Sequence, residues 1–210
     1  MFLNREDSGE QLGRALQRYA PEHPLVLAIP RGGVQVGHQV ALALGAEICP
    51  IIACKLGLPH QPEAAFGAIA EDGTRYLEEG FEDYLSSDVV DEMAMILREE
   101  IERRVGVYRQ GKNLPPLKAR TVIVVDDGIA TGATIKAVIE MCRHQEVGKL
   151  IVAAPIASQS TVAELAKAAD DVVVLDMPVQ YFAVSQGYVE FENLTDEEVL
   201  AILYPTASEK

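Results

Sequence analysis

Three observations predict an α/β fold built on a doubly wound, mostly parallel sheet. The apolar run Val122-Ile123-Val124-Val125 stops at two acids, Asp126 and Asp127. A loop of mostly small residues, Gly128-Ile129-Ala130-Thr131-Gly132-Ala133-Thr134, then leads into a helical pattern in which Ile135, Val138, Ile139 and Cys142 share one face. The same order occurs earlier: Leu25 to Ile29, the turn Pro30-Arg31-Gly32-Gly33, and a helix through Val36, Val40 and Leu44. Strand-like and helix-like segments alternate along the rest of the chain, as parallel strands with helical crossovers require.

The elements follow in order. Asp7-Ser8-Gly9-Glu10 reads as a capping box for a first helix carrying Leu12, Ala15, Leu16 and Tyr19, broken by Pro21 to Pro24. After the first strand and helix, a second strand covers Glu47 to Cys54 and ends at Lys55. Asp72-Gly73, between Ala68-Ile69-Ala70 and Tyr76-Leu77, predicts a two-residue hairpin turn. Val89, Met93, Leu97, Ile101, Val105 and Tyr108 mark one face of a long charged helix, ended by Gly111 and Pro115-Pro116. Beyond the acidic strand and its helix come a strand at Lys149 to Ala154 and a helix capped by Thr161 and Glu164. A strand at Asp171 to Leu175 follows, then a last helix capped by Thr195 and Glu198 and stopped by Pro205.

Composition narrows the function. The chain has 210 residues, 49% of them hydrophobic, which suits one domain (1–210) with a real core and excludes general disorder. No apolar run approaches the roughly 20 residues that span a bilayer, and the opening MFLNREDSGE has no signal-peptide core. A formal charge of −14 excludes a nucleic-acid surface, which needs clustered Lys and Arg. Cys49, Cys54 and Cys142 lie in apolar settings without zinc spacing, so they read as free thiols in a reducing cytoplasm. The histidines His23, His38, His60 and His144 are scattered.

The chemistry gathers at the strand ends. In open α/β sheets ligands bind at the carboxyl edge, and free N–H groups at a helix start suit a phosphate. Small side chains in the loop let the backbone approach that phosphate, and the Thr131 and Thr134 hydroxyls add donors. Asp126 and Asp127 can accept from paired hydroxyls or help hold a hydrated Mg²⁺. Together these partners match a ribose 5-phosphate. At the second turn, Gly32 and Gly33 free the backbone to aim N–H groups at an anion, and Arg31 adds a fork of donors.

The stretch Val122 to Thr134 resembles the signature of the type I phosphoribosyltransferases, which bind 5-phosphoribosyl 1-pyrophosphate (PRPP). The resemblance implies that fold, with a core at about 22–176, a flexible loop or hairpin insertion at about 56–118 and a small hood at about 177–210. It implies Mg²⁺-dependent transfer of the phosphoribosyl group to a nitrogen acceptor, a nucleobase, in cytoplasmic nucleotide metabolism. Asp126 and Asp127 would hold the ribose hydroxyls and the metal, Gly128 and Ala130 to Thr134 the 5′-phosphate, and Arg31, Gly32 and Gly33 the pyrophosphate. Lys55 would join them in neutralising the leaving group, making Arg31, Lys55, Asp126 and Asp127 the catalytic set. Leu58 to Glu63, with His60 and Glu63, falls where the family carries a mobile covering loop. Arg103, Arg104 and Arg109 either complement the helix C-terminus or reach the pyrophosphate pocket, and Tyr181, Phe182, Tyr188 and Phe191 are candidates for stacking on the base.

One departure bears on the acceptor. Purine-salvage members often place an acid where Ala130 stands. A PRPP-binding sensor without turnover is therefore the alternative, and a phosphohydrolase using the two acids for a metal is a third reading. The resemblance admits a homodimer and leaves the acceptor open.

Overall fold

The computed structural model describes residues 1–58, 61–81 and 86–205; for residues 58 and 61–64 it describes the backbone only. In chain order the elements are α1 (Arg5–Ala15), β1 (Leu25–Ala28), α2 (Gly32–Leu44), β2 (Glu47–Pro50), β3 (Ala53–Leu58), β4 (Gln61–Ala70) and β5 (Arg75–Leu77). They continue with α3 (Ser87–Arg109), β6 (Thr121–Val125), α4 (Ala133–His144), β7 (Lys149–Ile156), α5 (Gln159–Leu165), β8 (Asp171–Asp176) and α6 (Asp196–Leu203).

Five strands form one parallel sheet in the order β2-β1-β6-β7-β8. Strands covered on both faces read as unbroken apolar runs, because neither side of the pleat meets water. Val26, Ile123 and Val125 point to α1 and α2 and pack with Leu12, Leu16, Val36 and Val40. Leu25, Leu27, Val122 and Val124 point the other way, to Ile135, Val138 and Cys142 of α4. Val122 to Val125 are completely buried. Each such side chain contributes roughly 1.5–3 kcal/mol of hydrophobic stabilisation.

From β1 the chain steps outward to β2, while from β6 it steps the opposite way to β7 and β8. The loops leaving β1 and β6, which are paired neighbours (Ala28 opposite Val125), therefore diverge and open a crevice at their carboxyl ends. The two turns singled out in the sequence flank that crevice.

Several local expectations are corrected. The first helix is capped by Asn4, whose side chain accepts from the Asp7 N–H, and begins at Arg5. Asp7 reaches back to the Leu3 N–H at 2.9 Å, so the reciprocal cap is shifted from the expected one. The single strand expected over Glu47 to Cys54 is two strands in two sheets. Pro50 has no N–H to continue a ladder; Ile51 donates to Ala28 O and Ile52 to the Glu71 carboxylate, which turns the chain out of the parallel sheet. Lys55 consequently lies on β3, paired antiparallel with β4, and not at the end of a parallel strand. The Asp72-Gly73 hairpin is present with a wider loop: Ala70 N–H bonds Thr74 O, and Gly73 takes the left-handed conformation (φ +92°). α5 is capped by Ser158, three residues before Thr161, whose hydroxyl is used elsewhere. Thr195 and Glu198 do form a reciprocal cap on α6.

The small sheet β3-β4-β5 packs Ala53, Ala68 and Ala70 toward the α4 side of the core. α3 covers it through Val90, Ala94 and Ile101. No helix among the described residues is long and apolar enough to cross a membrane.

Candidate functional site

At the carboxyl end of β6, Asp126 accepts from the Asp127 N–H at 2.8 Å. Burial first, and the neighbouring Asp127 charge second, hold the Asp126 carboxyl well above the usual carboxylate range. Gly132 caps α4 in the left-handed conformation (φ +77°), a position that favours glycine. Lys136 N–H closes the first helical turn on Gly132 O at 2.8 Å. Among the described residues, no protein group accepts from the N–H groups of Ala130 to Thr134 or from the Thr131 and Thr134 hydroxyls. Five backbone donors at the positive end of a 12-residue helix make an anion cradle.

At the end of β1 the Pro30–Arg31 peptide bond is cis, and Gly32 and Gly33 open α2. Neither glycine has a positive φ, so the requirement differs from the expected free turning of the chain. A Cβ on Gly32 would lie 1.9 Å from Asp127 Oδ2, and one on Gly33 would lie 2.9 Å from Val125 O and 3.0 Å from Asp126 Oδ1. The two glycines thus let the β1 and β6 loops touch, bringing Arg31 beside the acids. Arg31 is about half exposed and lies 3.8 Å from Asp196 on α6.

A cleft of about 540 Å³ runs between these loops, lined by Arg31, Gly32, Lys55, Asp126, Asp127 and Thr134 together with side chains of α3 and the tail. A second cavity of about 180 Å³ adjoins it over Ala130, Thr131 and Gly132, sharing Lys55, Asp126, Asp127 and Thr134. Lys55 therefore reaches the expected place by an unexpected route, from the hairpin. Of the three arginines near the end of α3, Arg104 lines the cleft, bonded to Glu100 at 2.6 Å. Arg103 grips the same Glu100 with two bonds, at 2.8 and 2.9 Å. Those contacts, Arg103 foremost, lower the Glu100 carboxyl to about 2. Arg109 is turned away into a buried pair with Glu71 at 2.6 Å. His60 and the Glu63 side chain lie outside the described residues.

The tail is placed against the acids, but not as a row of stacking rings. Tyr188 is buried, and its hydroxyl donates to the Asp127 carbonyl at 2.5 Å. Phe191 lines the cleft with the Arg5 guanidinium lying 3.9 Å over its ring. Phe182 is exposed. Tyr181 packs on Ile156 and Tyr188, with its buried hydroxyl unpartnered among the described residues. Gly128 admits this tail closely: a Cβ there would meet Val184 at 2.4 Å.

Two contributors were not legible beforehand. Arg5 Nε donates to Asp127 Oδ2 at 2.7 Å in a pair that is nearly sealed from solvent. Thr161 donates to Ala130 O at 2.8 Å and pins the phosphate-type loop from α5. Thr161 was read only as a helix cap with Glu164, and Arg5 stands in no motif; it could have been suspected only as a cation in a helix's first turn, where the macrodipole disfavours it.

Hard oxygen donors suit Mg²⁺, which takes one or two carboxylates and completes its shell with phosphate and water oxygens. The two adjacent carboxylates fit that use. No cluster of three or more His, Cys, Asp or Glu side chains that could hold a metal ion exists among the described residues. The site can thus bind two separated anionic groups across a diol.

Known proteins resemble this chain over most of its length. A family model described as a phosphoribosyl transferase domain matches residues 9–190. Two Mycobacterium tuberculosis proteins named as phosphoribosyl transferases, one from each of two strains, are each 41% identical over 208 residues, 97% of this chain. The chain spans 46% of the length of these relatives. The crystal structure of TT1426 from Thermus thermophilus is 36% identical and superposes with a TM-score of 0.82 over 96% of this chain and 97% of that one.

Proposed function

The chain belongs to the phosphoribosyl transferase domain family, and from that premise we propose that it transfers the 5-phosphoribosyl group of PRPP to a nitrogen acceptor, releasing pyrophosphate. The observation that carries this reading is the adjacency of a bare N–H cradle, two carboxylates and a cationic loop within two joined cavities. The 5′-phosphate sits on Ala130 to Thr134, with Gly128 allowing the tail to close beside it. The ribose hydroxyls donate to Asp126 and Asp127, and the pyrophosphate lies against Arg31, Gly32 and Gly33 with Lys55 above it.

As the bond to pyrophosphate breaks, positive charge grows on the sugar and negative charge on the leaving group. Arg31 and Lys55 stabilise the latter, and the Asp127 carboxylate stabilises the former, in preset positions that need no reorganisation. Mg²⁺ bound with the pyrophosphate would add charge neutralisation and lower the leaving group's basicity. The tail, the hairpin and α3 wall the cleft and limit water, which would otherwise capture the sugar. With a net charge of −14 on the protein, capture of a polyanion depends on the local cations Arg31 and Lys55 and on the N–H cradle.

Mixing the protein with Mg²⁺, PRPP and a panel of nucleobases, and measuring pyrophosphate release, tests the reading. Release with one acceptor class is expected. Ala130, unable to contact a purine N7, favours a second reading as a PRPP sensor; tight PRPP binding with no release for any base would select it. No PRPP binding at all would overturn both.

A further inference from the structure

We propose that Arg5 is the positioning residue of this site, fixing Asp127 so that one carboxylate oxygen is committed to the protein and the other is reserved for the ribose; this rests on the reading above. Arg5 lies in the first turn of α1, at the positive end of the helix dipole, and is 6% exposed. Both circumstances disfavour a cation. The chain nevertheless builds a seat for it. Nε donates to Asp127 Oδ2 at 2.7 Å, Nη1 donates to the Glu192 carbonyl at 2.7 Å, and the guanidinium lies on the Phe191 ring. Gly32 leaves the space: a Cβ there would come within 2.7 Å of Arg5 Nε.

The consequence is directional. Asp127 Oδ2 is occupied by Arg5, the rest of the carboxyl has only the neighbouring Asp126 carboxyl beside it among the described residues, and the side chain lines both cavities. The Tyr188 hydroxyl holds the same residue's carbonyl, so the acid is gripped at both ends by α1 and the tail. A planar fork reaches the carboxylate and the carbonyl with donors on two separate nitrogens in fixed directions; an ammonium has three donors but all on one nitrogen at the end of a flexible stem, so it holds the pair less rigidly. Arg5 thereby ties the tail to the ribose-binding acid by hydrogen bonds, while it meets the pyrophosphate loop only by packing beside Gly32.

That separation gives the test. PRPP with Mg²⁺, and inorganic pyrophosphate with Mg²⁺, are titrated into wild type, Arg5→Lys and Arg5→Met by calorimetry. For Arg5→Met the PRPP dissociation constant rises about 10- to 100-fold, the size of one or two charge-assisted contacts. The pyrophosphate constant rises clearly less, because Arg5 packs beside Gly32 but gives its hydrogen bonds to Asp127 and Glu192 and none to Arg31, Gly32 or Gly33. Arg5→Lys, which keeps the charge, falls between and remains readable if the methionine variant does not fold. In an Asp127→Asn background, Arg5→Lys adds little further loss of PRPP affinity. Equal weakening of both ligands would assign Arg5 a merely structural role and overturn the inference. So would unchanged PRPP affinity in variants of a wild type that binds it. A wild type that binds pyrophosphate but not PRPP overturns the ribose reading itself.

Discussion

Gly32→Ala separates a contact requirement from a conformational one. The residue opens α2 with an ordinary negative φ, so helix preference alone makes alanine stabilising by about 0.5–1 kcal/mol. The new Cβ would sit 1.9 Å from Asp127 Oδ2 and 2.7 Å from Arg5 Nε. To clear the new methyl group Asp127 Oδ2 must retreat by more than about 1 Å and Arg5 Nε by only a few tenths, and that unequal shift takes their 2.7 Å contact outside hydrogen-bonding range. Breaking a buried ion pair costs about 3–5 kcal/mol as an upper bound; the helix gain offsets part of it, leaving a net loss of about 2–4 kcal/mol. The displaced carboxylate also loses its aim at the sugar, worth about 1.5–3 kcal/mol, or roughly 10- to 150-fold in PRPP affinity. Urea denaturation reads the first quantity and calorimetry the second. Unfolding at the same or higher urea concentration than wild type, with wild-type PRPP affinity, would refute the proposed contact between the two loops.

Three further outcomes follow from other contacts. Thr161→Val removes the hydroxyl that holds Ala130 O; we expect about 1 kcal/mol lower stability and roughly fivefold weaker binding of ribose 5-phosphate, and unchanged affinity would remove Thr161 from the loop's support. Tyr181→Phe deletes a buried hydroxyl that has no partner among the described residues, and should raise stability by about 1 kcal/mol in urea unfolding; a loss would show that the hydroxyl is satisfied in solution. Glu100, lowered to about 2 chiefly by Arg103, contributes stability that is present above about pH 4.5 and lost as pH falls toward 2. Glu100→Gln should therefore be less stable than wild type at pH 7, with the gap closing by about pH 2; a gap independent of pH would contradict the charge pairing. Its side chain is one-third exposed, so solvent screening keeps the difference small.

Much of the site was readable because it is local. Val122 to Thr134 encodes strand, acids, loop and helix in consecutive residues, and the periodicity of Ile135, Val138, Ile139 and Cys142 is visible without a partner. The Pro30 to Gly33 turn was likewise found, although its glycines answer to the neighbouring loop and not to their own dihedrals. Lys55 was identified as a cleft residue for a mistaken reason: nothing in the run Glu47 to Cys54 announces that Pro50 ends one sheet and that Glu71 draws Ile52 into another. The caps of α1 and α5 were misplaced because Ser, Thr and Asp occur at several registers, and side-chain geometry chooses among them. The tail aromatics could be named but not assigned, since only packing distinguishes a ring facing a cleft from one supporting it.

What the amino-acid order determined by itself is therefore the parallel α/β architecture and the two loops at its carboxyl edge, because apolar period and turn chemistry act over a few neighbouring residues. What the tertiary structure alone decided is how the acids are held. Arg5 and Asp127 are 122 residues apart, and Thr161 and Ala130 are 31 apart. Such pairs form only after strand order and helix packing have fixed the path of the chain, and no local pattern carries that information.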